Sequence, residues 1–213
     1  MPAQERLLLD GAAGPIETVI DHPDEAVAPI PHGPRGIALV AHPHPLFGGN
    51  LDNKVAQTLS RTFTELGYIA VRPNFRGVGA SAGGHDHGNG EADDMAAVVT
   101  QVRDRCGDLP LALAGFSFGA FVQTHVARRV TPERMVLIGL AAGLVAAGRS
   151  YALDTVPADT IIIHGENDGT VPLANVLAWA QPQDLPVVVI AGADHFFHRR
   201  LHIIRNIIKG QWR

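Results

Sequence analysis

The chain has 213 residues, of which 46% are hydrophobic and 18% charged, and its formal net charge is −4. This length and composition suit one compact domain with a buried core over residues 1–213. Lysines and arginines do not gather on any segment, which argues against nucleic acid or an anionic membrane as a partner. Because Cys106 is the sole cysteine, an intramolecular disulfide and a cysteine-based zinc site are excluded. The apolar run at residues 7–9 is too short for a signal sequence or a membrane span, so we expect a cytoplasmic protein.

Short apolar runs alternate with helical segments along the chain. Residues 7–9 and 17–20 flank a turn-like stretch and predict an opening hairpin, and a proline-rich loop follows at 26–34. Further strands are predicted at residues 36–41, 68–71, 109–114, 135–140, 161–163 and 187–190. Helices are predicted at residues 51–66, 91–105, 120–130, 173–180 and 198–209. The strand runs are apolar on both sides, as is typical of a parallel sheet covered by helices. The pattern therefore predicts a doubly wound α/β fold.

The sharpest motif is Gly115-Phe116-Ser117-Phe118-Gly119, which matches the G-x-S-x-G pattern of a nucleophile elbow. A predicted strand enters the motif and a predicted helix leaves it, as such an elbow requires. The turn is so tight that side chains two positions before and after the serine would collide, which explains the two glycines. We interpret Ser117 as a nucleophile. The alternative is a glycine-rich turn with an incidental serine.

A serine hydroxyl needs a base at neutral pH, and elbow hydrolases carry an acid and then a histidine downstream of the serine. Two loops that follow predicted strands fit this order, because sites in open α/β sheets form beyond the carboxyl ends of the strands. We assign Asp168 as the orienting acid and His195 as the general base and acid. Glu166 and Asp194 remain alternative acids, although Asp194 is adjacent to His195 and its side chain should diverge from the imidazole.

Five segments carry the distinctive motifs and together span nearly the whole chain. They are residues 41–50 (Ala-His-Pro-His-Pro-Leu-Phe-Gly-Gly-Asn), 74–81, 115–119, 164–172 and 192–196. In this order they resemble the α/β-hydrolase superfamily, in particular small, lidless bacterial serine hydrolases related to dienelactone-hydrolase-like esterases. The resemblance implies an eight-stranded, mostly parallel sheet and cofactor-free hydrolysis of esters or related acyl compounds. Ser117 stands where the dienelactone enzymes carry cysteine, so their particular substrate is not implied.

Acyl transfer also needs two N–H donors directed at the developing oxyanion. The first is the N–H of Phe118, the residue after the nucleophile. The second comes from the loop after the third strand, where prolines cannot donate. Alignment to the family's His-Gly-x pattern puts Pro43 in the glycine place and selects the N–H of His44, with that of Leu46 as the alternative. We interpret His42 as a structural ring beneath this loop and leave the side chain of His44 open as a substrate contact.

Two weaker patterns point to other chemistry. Residues 77–82 fit a dinucleotide-binding pattern, but no predicted helix begins there to bind a pyrophosphate. His85-Asp86-His87 contains metal-ligating residue types, but it lies in a stretch at 81–90, rich in glycine and histidine, that we expect to be a mobile loop. We therefore predict neither a nucleotide cofactor nor a metal.

The interval between the strands that end near residue 140 and begin near residue 160 holds about twenty residues. The resembling family inserts its lid domains here, and this interval has room only for a loop and a short helix. We expect an open, shallow site for small or medium esters, with Leu46, Phe116 and Phe196 as candidate substrate contacts. An acyltransferase, a peptidase and a non-catalytic binding protein of this fold are alternatives. The sequence does not distinguish a monomer from a homodimer.

Overall fold

A computed structural model of the protein describes residues 3–23 and 33–212, so most of the predicted proline-rich loop at 26–34 lies outside the described residues. The strands are β1 (Gln4–Gly11), β2 (Gly14–Asp21), β3 (Gly36–Ala41), β4 (Tyr68–Pro73), β5 (Leu111–Phe116), β6 (Arg134–Ile138), β7 (Gly143–Leu144), β8 (Ser150–Tyr151), β9 (Ile161–Gly165) and β10 (Val187–Ile190). The helices are α1 (Lys54–Glu65), α2 (Asn89–Cys106), α3 (Phe118–Val126), α4 (Leu173–Ala180) and α5 (Leu201–Gln211).

Eight of the strands form one sheet, in the order β1-β2-β4-β3-β5-β6-β9-β10. The pairs β1–β2 and β2–β4 are antiparallel, and the other neighbouring pairs are parallel. The predicted opening hairpin and the eight-stranded, mostly parallel sheet are both confirmed. The carboxyl ends of β3, β5, β9 and β10 share one edge of the sheet, and the loops that follow them carry the predicted site residues.

Helices cover both faces of this sheet. Strand side chains alternate between two apolar clusters, so that Leu39 and Val40 of β3 point to opposite faces. Helices α1 and α5 pack on one face through Phe63, Ile204 and their neighbours, while α2, α3 and α4 cover the other. Strands buried on both faces need apolar residues at every position, which accounts for the continuous apolar runs of the sequence.

Two helices begin later than predicted, for local reasons. Helix α1 begins at Lys54 rather than residue 51, because the Asn53 side chain accepts hydrogen bonds from the N–H groups of Val55 and Ala56 and caps the helix there. Helix α5 begins at Leu201 rather than 198. Phe197 and Arg199 have φ angles of 53° and 62°, which lie outside the helical range.

The sequence predicts a mobile loop at 81–90, but in the structure hydrogen bonds attach this segment to the first turn of α2. The Glu91 carboxylate accepts hydrogen bonds from the N–H groups of Asp86 and Gly88, at 2.9 Å each. His85 Nδ1 lies 2.8 Å from the same carboxylate. A buried carboxylate at a helix N-terminus satisfies N–H groups that lack intrahelical partners, so it orders the preceding chain.

The interval before residue 160 holds the small hairpin β7–β8, joined by a 3-10 turn at Ala146–Gly148. This agrees with the expected short connection. Among the described residues, no helix is both long enough and apolar enough to cross a membrane.

Candidate active site

Ser117 sits on a strained turn between β5 and α3, with φ 56° and ψ −118°. Its N–H donates to the carbonyl oxygen of Ile138 on the neighbouring strand β6, at 2.9 Å. A Cβ at Gly115 would lie 2.6 Å from the backbone N of Ala120, and one at Gly119 would collide with the carbonyl oxygens at the end of β3. The two glycines are therefore required by sterics, as the sequence motif predicts.

The three residues assigned to the triad lie together. Ser117 Oγ is 3.0 Å from His195 Nε2, and His195 Nδ1 is 2.7 Å from Asp168 Oδ2. Ser117 follows β5, Asp168 follows β9, and His195 follows β10, so each stands beyond the carboxyl end of a parallel strand. All three residues are buried, and Ser117 keeps 8% of its surface exposed. The geometry allows the imidazole to accept the hydroxyl proton while the carboxylate orients the ring.

Asp168 is held as an ionised carboxylate. Burial alone raises its pKa, but the hydrogen bond and charge of His195, together with the Val171 N–H, outweigh that effect and bring the pKa below its usual range. Its Oδ1 accepts the N–H groups of Thr170 and Val171 at 2.8 and 2.7 Å, which leaves Oδ2 for the imidazole. The loop thus fixes which oxygen faces His195.

His164, the fourth residue of β9, lies beneath this acid and was not singled out from the sequence. Its Nε2 is 3.0 Å from the carbonyl oxygen of Val171 and 3.4 Å from Asp168 Oδ2. Its Nδ1 is buried without a partner among the described residues. Burial lowers the pKa of this imidazole, so a neutral ring that donates from Nε2 explains both contacts. In the sequence, His164 could have been singled out because it directly follows the predicted apolar strand and precedes the loop that carries Asp168.

The two alternative acids have other partners. Asp194 Oδ2 lies 2.5 Å from His198 Nδ1, and its Oδ1 accepts the N–H of the same residue. Glu166 accepts the N–H of Gly192 at 2.7 Å. The structure therefore brings Asp168, and neither of these carboxylates, to His195.

The loop predicted to supply the second oxyanion donor, residues 42–53 and called the oxyanion loop from here on, follows β3 and lies against Phe118. The rings of His44 and Phe118 are 4.7 Å apart. Within the described residues the N–H groups of both lack an acceptor, whereas that of Leu46 donates to His44 Nδ1 at 3.2 Å. Of the two predicted second donors, His44 is therefore the one with a free N–H.

His42 holds this loop from below, as expected. Its fully buried ring lies with Nδ1 2.7 Å from the carbonyl oxygen of Pro43, while Nε2 accepts the N–H of Phe75 at 2.9 Å. Because Nε2 accepts a hydrogen bond, the proton of the neutral ring is on Nδ1. Burial lowers the pKa of His42 to about 4, so the ring stays neutral at pH 7.

The fold and this geometry can be compared with known proteins. A family model described as alpha/beta hydrolase fold matches residues 44–144. The chain is 35% identical over 181 residues to an uncharacterized protein of Rickettsia prowazekii (strain Madrid E), covering 81% of this chain and 75% of that protein. It is 36% identical to a solved α/β serine hydrolase without a lid from Xanthomonas campestris, with a TM-score of 0.88 over 98% of this chain and 93% of that one. The chain belongs to the α/β-hydrolase family.

A second solved α/β-hydrolase, a serine hydrolase homologue from Coxiella burnetii, is 34% identical with a TM-score of 0.83 and covers 98% of this chain and 97% of its own. Relatives of this kind support hydrolase activity for the chain in general terms. Their descriptions say nothing of its substrate.

The three candidate substrate contacts of this α/β-hydrolase differ in exposure. Leu46 and Phe196 are 70% and 51% exposed, so both are available at the surface of the site. Phe116 is fully buried, and its ring packs 5.0 Å from that of His195. The expectation that Phe116 contacts substrate is therefore corrected: it supports the imidazole from the core side.

The dinucleotide-like segment has a structural role in this α/β-hydrolase. Helix α2 begins at Asn89, seven residues after the pattern ends at Ala82, so no helix N-terminus follows the glycines. Instead the segment is bound to β2. Glu17 accepts hydrogen bonds from the Asn74 side chain at 2.8 Å and from the Ala80 N–H at 2.9 Å.

His85-Asp86-His87 lies in the ordered turn before α2. The rings of His85 and His87 are 4.9 Å apart, but His85 faces Glu91, and Asp86 accepts the N–H of Gly90. Within residues 3–23 and 33–212, no group of three or more histidine, cysteine, aspartate or glutamate side chains is arranged to hold a metal ion.

Proposed function

We propose that this α/β-hydrolase is a serine esterase that cleaves small or medium carboxylic esters through an acyl-enzyme on Ser117. The observation that carries the proposal is the unbroken set of contacts from Ser117 Oγ through the His195 ring to Asp168. A hydroxyl that is hydrogen-bonded to an imidazole, itself oriented by a carboxylate, is the arrangement that activates serine toward acyl carbonyls.

In the acylation step, His195 Nε2 accepts the Ser117 proton while Oγ attacks the ester carbonyl. The same proton then passes to the leaving oxygen as the ester bond breaks, which releases the alcohol. Asp168 keeps Nδ1 protonated and stabilises the imidazolium that forms. Its lowered pKa supports this role, because the carboxylate remains ionised at neutral pH.

The negative charge that develops on the carbonyl oxygen is stabilised by the N–H groups of Phe118 and His44. Removing a single donor of this kind costs roughly 3–4 kcal/mol of transition-state stabilisation in comparable sites. Water then attacks the acyl-enzyme with His195 as the base, and the acid product leaves. If another nucleophile replaced water, the same intermediate would give acyl transfer.

The hairpin β7–β8 favours small or medium substrates, because no lid domain stands between β6 and β9 to enclose a long acyl chain. The exposed side chains of Leu46 and Phe196 offer limited apolar surface at the site. A panel of p-nitrophenyl esters of rising chain length should give the highest kcat/KM at short or medium acyl chains. Efficient hydrolysis of long-chain triglyceride with weak short-chain activity would contradict an open, shallow site.

A fluorophosphonate probe tests the nucleophile directly, because such probes react with activated serine hydroxyls. We expect the probe to label the native protein and to leave Ser117→Ala unlabelled. Ser150→Ala, which removes an exposed serine on β8, is the matched control and should be labelled like the wild type. If the folded wild type resists the probe, the esterase proposal fails and a non-catalytic binding protein is favoured.

A further inference from the structure

A groove of about 700 Å³ is lined by Phe196, whose ring lies 5.2 Å from that of His195, and it is not used in the steps above. One wall comes from Asn50 and Asp52–Val55, where the oxyanion loop passes into α1. The other comes from Phe196–Arg199 and Leu201, in the segment that directly follows the histidine. The volume lies within the range of about 300–1,000 Å³ that small-molecule sites occupy.

The position of the groove relates it to the leaving group. In the proposed function His195 Nε2 hands a proton to the leaving oxygen, so the rest of the leaving group must extend over the surface next to the imidazole. The carbonyl oxygen is held on the other side, by the N–H groups of Phe118 and His44. Both residues that follow His195 line the groove, but Phe197 is fully buried, whereas the Phe196 side chain is exposed.

The cations of the groove have no counter-charge of their own. Lys54 and Arg199 both line it, and neither forms an ion pair or a side-chain hydrogen bond with any residue that the structure describes. The first N–H groups of α1 are capped by the Asn53 side chain, so the positive charge of this wall comes from Lys54 and not from the helix end.

The carboxylates nearby are occupied by other partners. Asp52 also lines the groove, and its carboxylate lies 3.5 Å from Arg72 and 3.7 Å from Arg6, two cations that are not among the lining residues. His198 lines the groove with its ring paired to Asp194 at 2.5 Å. The side chains that remain without a counter-charge are therefore positive.

The backbone that carries Arg199 is held in tight turns. Arg199 has φ 62°, and the N–H of Arg200 donates to the carbonyl oxygen of Phe197 at 2.9 Å. A non-glycine residue held at positive φ needs support from its surroundings. The base of the Arg199 side chain is thus fixed relative to Phe196 and His195.

We propose that this groove receives the leaving group, and that Lys54 and Arg199 select esters whose alcohol portion is a hydroxy acid. The inference rests on the proposed function. The Ser117 Oγ–acyl bond forms as the bond to the leaving oxygen breaks. That oxygen takes its proton from His195, and the product leaves as a hydroxy acid whose carboxylate lay against the two cations. Phe196 packs against its apolar or aromatic part.

The test compares two acetate esters that differ in one charge on the leaving group, 4-acetoxybenzoate and the neutral 4-acetoxybenzamide. For each enzyme we take the ratio of kcat/KM for the anionic ester to kcat/KM for the neutral one. The double charge reversal Lys54→Glu/Arg199→Glu should lower this ratio about tenfold or more, because both attractive charges become repulsive. Comparing ratios cancels the intrinsic reactivity of the two esters.

Arg61→Glu is the matched control, because Arg61 is an exposed cation on the same helix and does not line the groove. It should leave the ratio unchanged. A measurement without any variant keeps the inference testable if the double variant does not fold. Raising the ionic strength from about 0.01 M to 0.5 M should lower the wild-type ratio severalfold, because screening weakens exposed charge interactions.

The outcomes separate the two proposals. Hydrolysis of the neutral ester by wild type and double variant, with ratios within twofold of each other, would overturn the leaving-group inference and leave the esterase proposal standing. An equal fall in the ratio for Arg61→Glu would also overturn it, because a general field effect would then explain the preference. If the wild type hydrolyses neither ester and resists the fluorophosphonate probe, the proposed function itself fails.

Discussion

At the scale of single residues, His42 connects the oxyanion loop to the rest of the protein. Both ring nitrogens are used, one toward the carbonyl of Pro43 and the other toward the N–H of Phe75. Burial lowers its pKa to about 4 from an ordinary value of 6.5. Protonation of this ring is therefore less favourable in the folded protein than in the unfolded chain. As a consequence, the free energy of unfolding depends on pH.

The expected effect follows from which state binds the proton. Below pH 6.5 the unfolded chain protonates His42, while the folded chain does so only near pH 4. Stability is therefore lost as the pH falls through this window, and His42 contributes no further loss below it. A difference of this size corresponds to about 3 kcal/mol. Urea unfolding of His42→Gln at pH 7, 5.5 and 4 should show a correspondingly smaller fall than the wild type.

His202→Gln is the control for this prediction, since His202 is exposed on α5 and has no comparable hydrogen bonds. Its pH profile should follow the wild type. If His42→Gln and the wild type lose the same free energy of unfolding between pH 7 and pH 4, the buried neutral ring is not the origin of the loss.

At the scale of elements, the contact between β3 and the start of α3 depends on the absence of a side chain at Gly119. A Cβ there would collide with the carbonyl oxygens of Ala41 and His42. We expect Gly119→Ala to lower the free energy of unfolding by about 1–3 kcal/mol, because neither backbone can yield without moving a strand. Fluorophosphonate labelling of the folded fraction should also slow, since Phe118 begins α3 and His44 lies in the loop that directly follows β3.

Gly169→Ala provides the comparison, because a Cβ at Gly169 meets nothing within 4 Å. That substitution should leave stability unchanged or raise it by up to about 1 kcal/mol through the unfolded chain. Equal effects of the two substitutions on thermal unfolding would show that the close approach at Gly119 is not the cause.

Elements that coincide with a continuous apolar run could be predicted well from the sequence. Strands β3 and β10 and helix α4 have the bounds that the sequence analysis gives, because continuous apolar runs and their breaks mark these elements directly. The start of α5 could not be predicted in this way. Phe197 and Arg199 adopt positive φ without being glycine, and no residue type announces such a conformation.

The candidate site likewise contains some features that the sequence predicts and others that it does not. Residues that follow strands in the expected order, Ser117, Asp168 and His195, lie in contact as the elbow motif and chain order predict. The full burial of Phe116 and the groove beside Phe196 depend on packing between segments far apart in the sequence. Neither periodicity nor a motif reports such contacts. Composition predicts a mobile loop at 81–90, whereas one buried carboxylate orders this glycine-rich segment.

At the scale of the whole molecule, a buried polar network joins the opening hairpin to the site. Asn74 is at its centre: its side chain accepts the N–H of Leu51 in the oxyanion loop at 2.8 Å and donates to Glu17 on β2 at 2.8 Å. The hydrogen bond from the Ala80 N–H, with those from Asn74 and Arg6 and the charge of Arg6, outweighs the effect of burial and lowers the pKa of Glu17. The network therefore couples the oxyanion loop to the far side of the sheet.

Removing Asn74 should affect stability and activity together. We expect Asn74→Ala to lower the free energy of unfolding by about 1–3 kcal/mol, because it leaves the buried N–H of Leu51 without an acceptor and removes one of the hydrogen bonds to the buried Glu17 carboxylate. It should also lower kcat more than it raises KM, since the oxyanion donors act mainly in the transition state. Asn206→Ala, at an exposed position on α5, should change neither. If Asn74→Ala lowers the free energy of unfolding but leaves kcat unchanged, the network does not contribute to the activity of the site.

The distance along the chain between Ser117 and His195, 78 residues, has a consequence for how reactivity arises during folding. His195 follows β10, which joins the sheet at its edge by pairing with β9 alone. The elbow can form from local contacts, but under the proposed mechanism its hydroxyl stays inert until this last strand has docked. The rate at which Ser117 becomes reactive toward a covalent probe during refolding would therefore report when the sheet is complete. Partly folded chains would not form an acyl-enzyme.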